Sequence, residues 1–181
     1  MRTLQKMKKR GFTLVELMIV VAIVGVLAVL AIYGVRKYIA NSKTTEARNS
    51  LGEIKNDAAS AFERETGGTS VLTPGGTTAL LRQLCPPAAA VPGAIPASAK
   101  AQSDKASWSG DPGWFCLKFS LEQPQYYQYQ VTGGGTSGAY VALARGDLNG
   151  DSVISTFSVS GSVQSGVLNT SPTIAEVLPE E

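Results

Sequence analysis

Residues 9–33 read KRGFTLVELMIVVAIVGVLAVLAIY, and this stretch decides how the rest of the chain is interpreted. A charged pair and a glycine precede Phe12, one acid follows at Glu16, and the next 17 residues carry no charge. The apolar segment approaches the roughly 20 residues that a helix needs to cross a bilayer. The stretch therefore predicts a single membrane-spanning helix near the N-terminus.

The head before this segment is strongly basic, with five of the 16 basic residues in the first ten positions. A basic head followed by an apolar block is also typical of a secretory signal peptide. The small-residue cleavage site that such a peptide needs after its apolar block is absent, and helical sequence continues instead. A secreted enzyme with an ordinary signal peptide is therefore an alternative that requires cleavage after the block.

The chain continues beyond the apolar segment with the periodicity of an amphipathic helix. No proline occurs between Phe12 and Thr66, and Gly67–Gly68 suits a C-terminal cap. We expect one helix of about 55 residues whose second half carries a small domain on one side. Its apolar face recurs at steps of three, four or seven residues: Ala40, Ala47, Leu51, Ile54, Ala58, Ala61 and Phe62.

Composition excludes several classes of function. The chain has no histidine, which rules out His-based metal sites and Ser-His-Asp or Cys-His nucleophile systems. If the chain is cut after Gly11, 11 basic residues face 14 acidic ones, so charge gives no support to a nucleic-acid partner. No catalytic constellation emerges from the scattered acids, and we expect no enzyme activity.

The two cysteines, Cys85 and Cys116, predict one disulfide in an exported chain, with two free buried thiols as the alternative. The Pro/Ala-rich stretch at 85–96 predicts an irregular surface loop. Strands are predicted at 114–121, 125–132, 139–145 and 153–160, joined by short turns, which indicates an antiparallel meander. Aromatic residues supply most of its bulk: Trp108, Trp114, Phe115, Tyr126, Tyr127 and Tyr129.

The turn DLNGD at 147–151 places oxygen ligands on alternate residues, Asp147, Asn149 and Asp151, as a Ca²⁺ loop does. Ser152 stands where such a loop has its turn glycine, and Ser158 stands where it has its bidentate Glu. Asn-Gly between two strands is a hairpin signal, so we favour a β-turn without metal. We expect no cofactor, with calcium as the alternative.

The junction Lys9-Arg10-Gly11-Phe12, followed by Glu16 and the apolar run, resembles the type IV pilin family, including the pseudopilins of type II secretion. The close resemblance covers roughly residues 8 to 50. It implies cleavage between Gly11 and Phe12 by a prepilin peptidase, followed by N-methylation of Phe12. It also implies that Glu16 pairs with the amine of Phe12 on a neighbouring subunit, which sets the register of assembly.

One position departs from the family's common pattern. Many type IV pilins carry a proline where this chain has Tyr33-Gly34, and that proline is associated with a helix kink. Gly34, with Gly25 upstream, makes the helix flexible, but with a less sharp bend than a proline produces.

The fold expected is α+β: a long N-terminal helix packed on an antiparallel sheet of about four strands, the pilin fold. The segments are residues 1–11 as leader, 12–35 as membrane-spanning and filament-core half-helix, and 36–66 as amphipathic half-helix. A loop region at 67–113 and a sheet with a C-terminal tail at 114–181 complete the chain.

The function expected is that of a structural pilus subunit. Its partners would be copies of itself and other pilins, the prepilin peptidase, the pilus or secretion assembly machinery, and the inner membrane before assembly. The subunit would be a single-pass inner-membrane protein first and part of an extracellular filament later. The alternatives are a type II secretion pseudopilin and a membrane-tethered periplasmic binding module that never polymerises.

Overall fold

The structure, a computed structural model, describes residues 11–64 and 82–179. The leader before Gly11 and the predicted helix cap at Gly67–Gly68 lie outside these residues. The chain divides into two compact units, one ending at Ile39 and the other beginning at Ala40.

The long helix α1, Leu14–Glu63, has 50 residues and contributes to both units. In the first unit its large apolar side chains are exposed on every side. In the second unit its buried residues recur at steps of three and four, which confirms the predicted amphipathic half. They are Thr44, Ala47, Ser50, Leu51, Ile54, Ala58, Ala61 and Phe62.

Among the residues that the structure describes, the second unit contains an antiparallel sheet of six strands, more than the four predicted. The strand order is β1-β2-β3-β4-β5, and β6 pairs with the first half of β4 while β5 pairs with its second half. The strands are β1 (Ala88–Val91), β2 (Gln128–Gly133), β3 (Ala139–Gly146), β4 (Ser155–Gln164), β5 (Val167–Thr170) and β6 (Ala175–Val177).

The strand predicted at 114–121 was wrong, because this region forms part of a pair of short helices. They are α2 (Lys105–Ser109) and α3 (Pro112–Leu117). Asp111 caps α3 by accepting hydrogen bonds from the backbone N–H groups of Gly113 and Trp114, at 2.8 and 3.1 Å. Pro112 occupies the first turn, and Lys118 ends the helix in the left-handed conformation. This capping outweighs the β-propensity of the Trp-Phe-Cys-Leu run.

The Pro/Ala-rich stretch is not wholly irregular, because it contains the edge strand β1. Its small side chains let α3 approach closely: a Cβ on Gly113 would lie 2.7 Å from Ala88 Cα. The side chain of Trp114 donates from Nε1 to the Ala89 carbonyl at 2.9 Å, and Asp111 accepts from the Ala89 N–H at 3.1 Å. Contacts made by α3, invisible in the local sequence, therefore order this strand.

The tail also differs from expectation, because β5 and β6 extend the sheet there. One aromatic-rich core joins α1, the short helices and the sheet. Phe115, predicted to add to that core, is 72% exposed. The largest fully buried side chains are Trp108, Trp114, Tyr127, Tyr129, Phe62, Phe157, Leu51 and Ile54.

Candidate assembly site

The first turn of α1 is closed by a reciprocal pair of side chains, Thr13 and Glu16. Glu16 Oε2 accepts hydrogen bonds from the Thr13 N–H at 2.9 Å and from the Thr13 hydroxyl at 2.6 Å. The Glu16 N–H donates to Thr13 Oγ1 at 3.3 Å. This is a capping box, in which Thr and Glu three residues apart satisfy backbone donors that the helix leaves unpaired.

The capping box holds the Glu16 carboxylate at the start of α1, on an exposed surface. Both donors from Thr13 reach the same oxygen, Oε2, and an ionised carboxylate can accept about four hydrogen bonds. Acceptor capacity therefore remains for another cation or donor. Phe12 is 73% exposed, and within residues 11–64 and 82–179 no hydrogen bond joins it to Glu16.

The apolar half of α1 has no covering structure within the part of the chain described. An 18-residue window of this helix has a mean hydropathy of 3.0, and by length and composition the helix can cross a membrane. Soluble monomers rarely expose contiguous apolar patches larger than a few hundred Å². This half of the helix therefore needs an apolar environment, either lipid or other helices.

Cys85 and Cys116 form a disulfide, with their Cα atoms 5.7 Å apart, and the two residues are 31 positions apart in sequence. The bond links the segment before β1 to α3. Gly134 lies against it: a Cβ there would lie 2.1 Å from the Cys85 carbonyl oxygen, and its φ is +86°. The disulfide thus fixes the segment before the edge strand β1 against α3.

The turn at 147–151 uses its side-chain oxygens for its own backbone. Asp147, 5% exposed, accepts from the N–H groups of Gly150 at 2.6 Å and Ser152 at 3.0 Å. Asn149 accepts from the Asp151 N–H at 2.9 Å, and Asp151 accepts from the Val153 N–H at 2.8 Å. Across residues 11–64 and 82–179, no group of three or more His, Cys, Asp or Glu is placed to hold a metal ion.

Comparison with known proteins identifies the segment that contains the capping box. A family profile described as the prokaryotic N-terminal methylation motif matches residues 6–32. The type IV major pilin protein PilA of Myxococcus xanthus (strain DK1622) is 47% identical over 58 residues, 32% of this chain and 26% of that protein. The type IV major alpha-pilin of Moraxella bovis is 47% identical over 60 residues, 32% of this chain and 37% of that protein. Over about its N-terminal third the chain is therefore similar to type IV pilins.

The similarity of the chain to these relatives is confined to part of each sequence. The fimbrial protein EcpC of Eikenella corrodens is 48% identical over 50 residues, 28% of this chain and 33% of that protein. The chain thus spans about a quarter to just over a third of the curated relatives it matches. No solved structure matches it significantly.

The sequence pattern singled out Glu16 but not Thr13, its partner in the capping box. The signal was present, because Thr and Glu three residues apart before an apolar run are typical of a helix N-terminus. A second feature of the chain gave no local signal at all: three cations, Arg64, Lys105 and Lys118, that border one aromatic cavity. They are too far apart in sequence for any motif to join them.

Proposed function

We propose that this chain is a type IV pilin, the structural subunit of a type IV pilus. The observation that carries the proposal is the exposed apolar half of α1, which begins directly after the Gly11-Phe12 junction and the Thr13–Glu16 capping box. Lipid would cover this surface in the inner membrane, and the same surfaces of other subunits would cover it in a filament. Burying each large aliphatic side chain contributes about 1.5–3 kcal/mol, so either environment is strongly favoured over water.

Processing at the junction supplies the charge that assembly needs. Cleavage between Gly11 and Phe12 by a prepilin peptidase would free the amine of Phe12, and methylation there would leave it basic. The Glu16 carboxylate, held by Thr13 at the start of the helix, would then accept this cation from a neighbouring subunit. In the apolar filament core an uncompensated carboxylate is costly, so the pair would set the register between helices.

The partners and location follow from this scheme. The subunit would wait in the inner membrane, its second unit outside, and then join an extracellular filament with other copies of itself and other pilins. The assembly machinery would move it between the two states. The self-satisfied turn at 147–151 gives no support to a calcium-dependent pseudopilin of type II secretion, so we retain the pilus subunit as the function. The fold supplies a scaffold for assembly, and we propose no catalytic role.

The first test is intact mass and N-terminal sequencing of the protein from membranes and from sheared surface filaments. A chain that begins at N-methylated Phe12 in the sheared fraction is the expected result. The same species confined to membranes would point to a pseudopilin or a tethered module instead. A chain that begins well past Ala31 would overturn the assignment, because it would mean ordinary signal-peptide cleavage.

The second test separates the two roles of Glu16. Glu16→Gln keeps a residue that a capping box accepts while it removes the charge. Thr13→Ala keeps the charge and removes the hydroxyl of the box. We expect Glu16→Gln to accumulate in the membrane with sheared filaments lost, whereas Thr13→Ala retains filaments at a reduced level. Filaments at the wild-type level from Glu16→Gln would exclude a charge pair in assembly.

A further inference from the structure

An aromatic cavity of about 380 Å³ opens on the second unit, beside the C-terminal end of α1. Trp108 packs edge-on against Trp114 and Phe119, with ring centroids 5.0 and 5.6 Å apart, and these three rings are fully buried from bulk solvent. Phe115 also lines the cavity, yet it is 72% exposed. The exposed ring of Phe115 therefore gives the cavity an apolar rim above three buried rings.

Three cations border this aromatic cavity: Arg64, Lys105 and Lys118. Among the described residues that line it there is no acid. Arg64 donates to the Cys116 carbonyl at 2.8 Å, which holds its guanidinium at the border. Lys105 reaches Glu122 at 3.6 Å, but both side chains are largely exposed and such a pair contributes little. The cavity thus favours an occupant that is apolar and negatively charged.

The C-terminal part of the same chain has this chemistry. After Arg145 the sequence contains five acidic residues and no basic one. We call residues 175–181, AEVLPEE, the acidic segment. Val177 and Leu178 in it are 59% and 51% exposed. Glu180 and Glu181 follow them in sequence and lie outside the described residues, and Glu176 is already bonded to Arg48.

The cavity and the acidic segment lie toward opposite ends of the helix within the second unit. Glu176 of the segment contacts Arg48, and Arg64 borders the cavity. Arg48 lies on α1 and Arg64 directly follows its last residue, so the two are 16 residues apart, or about 24 Å along the helix axis at 1.5 Å per residue. A segment at one end therefore cannot fill the cavity at the other end of its own unit without leaving β4. Complementary patches at opposite ends allow a head-to-tail contact between two copies. When repetition of such a contact does not close into a ring, it produces an open helical array.

We propose that the acidic segment of one copy docks in the aromatic cavity of the next copy. Val177 and Leu178 would contact the exposed ring of Phe115, and the acidic segment would bring negative charge to the three cations. Burial of apolar side chains gives this contact its affinity, and charge complementarity gives it orientation and register. The proposal rests on the proposed filament function and specifies one contact between its globular units.

Photo-crosslinking in whole cells tests the contact directly. The photoreactive residue p-benzoylphenylalanine replaces Phe115, whose exposed ring the fold does not need, in the full-length chain. Irradiated filaments are sheared, digested and analysed by mass spectrometry. Residues 146–181 contain no Lys or Arg, so trypsin keeps them together in one peptide, and cleavage at Glu locates the attachment within it. We expect attachment at residues 175–181 of a second copy.

The matched control places the same photoreactive residue at Asn56, an exposed position on α1 away from the cavity. This control should not capture the acidic segment. Attachment of position 115 to residues 65–81 of its own chain, or to any other site in intact filaments, would overturn the inference and leave the filament function standing. If the wild-type chain forms no filaments at all, the proposed function fails instead.

A charge exchange provides the second measurement. Lys105→Glu with Lys118→Glu should lower the yield of sheared filaments by about tenfold or more, as should Glu180→Lys with Glu181→Lys. Combining all four changes should restore most of the yield, because the pairs are re-formed with opposite signs. The exchange Glu53→Lys with Lys55→Glu on α1 controls for altered surface charge. If the four-fold variant instead loses filament yield by the combined factors of the two double variants, a direct contact is contradicted.

Discussion

The guanidinium of Arg48 on α1 donates two hydrogen bonds to the carboxylate of Glu176 on β6, from Nε to Oε1 at 2.7 Å and from Nη2 to Oε2 at 2.9 Å. The two residues are 128 positions apart in sequence. The same guanidinium lies over the ring of Phe157, 5.7 Å from its centroid. Paired parallel hydrogen bonds of this kind fix orientation as well as charge. Through them the long helix holds the last strand of the sheet in place.

Glu176→Gln should loosen β6 without unfolding the unit. The Gln side chain keeps the shape of Glu and loses its charge. We therefore expect the free energy of unfolding to fall by about 0.5–1 kcal/mol and backbone N–H exchange at residues 175–177 to become faster. Hydrogen–deuterium exchange measured by mass spectrometry checks this, with Glu53→Gln on the exposed face of α1 as control. Unchanged exchange across β6 would show that strand pairing alone holds it.

The same pair predicts a dependence on acid. Hydrogen bonds from Arg48 lower the pKa of Glu176 below its ordinary 4.5. Its stabilising contribution is therefore fully present above that value and is lost as the pH falls through the lower, folded-state pKa. Exchange at 175–177 in the wild type should rise toward the Glu176→Gln level at acidic pH. A constant difference between the two proteins across the acidic range would contradict this linkage.

Glu46 should show the opposite slope. Burial raises the pKa of Glu46, although the carboxylate accepts from the Tyr126 N–H at 2.8 Å and is attracted by Lys100. The folded state then binds the proton more tightly than the unfolded chain, so stability falls as the pH rises from about 4.5 through the raised pKa. Glu46→Gln keeps the acceptor and removes this slope. We would measure thermal unfolding in detergent at several pH values. As the pH rises, the stability of the variant relative to the wild type should increase, by less than about 1 kcal/mol.

The disulfide should contribute substantially to the second unit. Its loop of 31 residues gives roughly 3–4 kcal/mol in the chain-entropy description. We therefore expect the Cys85→Ser, Cys116→Ser double variant to unfold at a much lower temperature than the oxidised wild type. Reduced wild-type protein serves as the matched control and should behave like the variant. If the free energy of unfolding fell by less than about 1 kcal/mol, the contacts of α3 with β1 would be enough to stabilise the unit without the disulfide.

Gly113→Ala should be among the most damaging single-methyl additions. A Cβ at this position would lie 2.5 Å from the Pro87 carbonyl oxygen and 2.7 Å from Ala88 Cα, both backbone atoms that cannot rotate away. The change should cost about 1–3 kcal/mol through displacement of β1. Gly52→Ala on α1, where nothing lies within 4 Å, is the control and should be neutral or stabilising. Equal stability of the two variants would contradict the close approach.

The elements that could be predicted are those whose signal is local. Helix α1 follows from the uncharged run after Glu16 and from the periodicity that ends at Phe62. Strands β2, β3 and β4 follow from alternating patterns between turn residues, within a few residues of their observed ends. The pairing of Cys85 with Cys116 needs no geometry, since only two cysteines exist.

The elements that were missed depend on contacts between distant segments. Strand β1 is ordered by Trp114 and Asp111 of α3, about 25 residues further along, and β6 by Arg48. Helix α3 was mistaken for a strand because its aromatic residues favour extended structure, while the capping Asp111 and Pro112 decide otherwise. The cations that border the aromatic cavity come from the residue after α1, from α2 and from the residue that ends α3, so only the folded unit brings them together.

The aromatic cavity can also be monitored by the intrinsic fluorescence of the protein. The chain has two tryptophans, Trp108 and Trp114, and both line this one cavity. Intrinsic fluorescence excited at the indole band therefore reports on a single locality, with no background from elsewhere in the subunit. A carboxylate or an aliphatic group that enters the cavity would change the emission wavelength or quench it, so polymerisation could be followed in real time without any label.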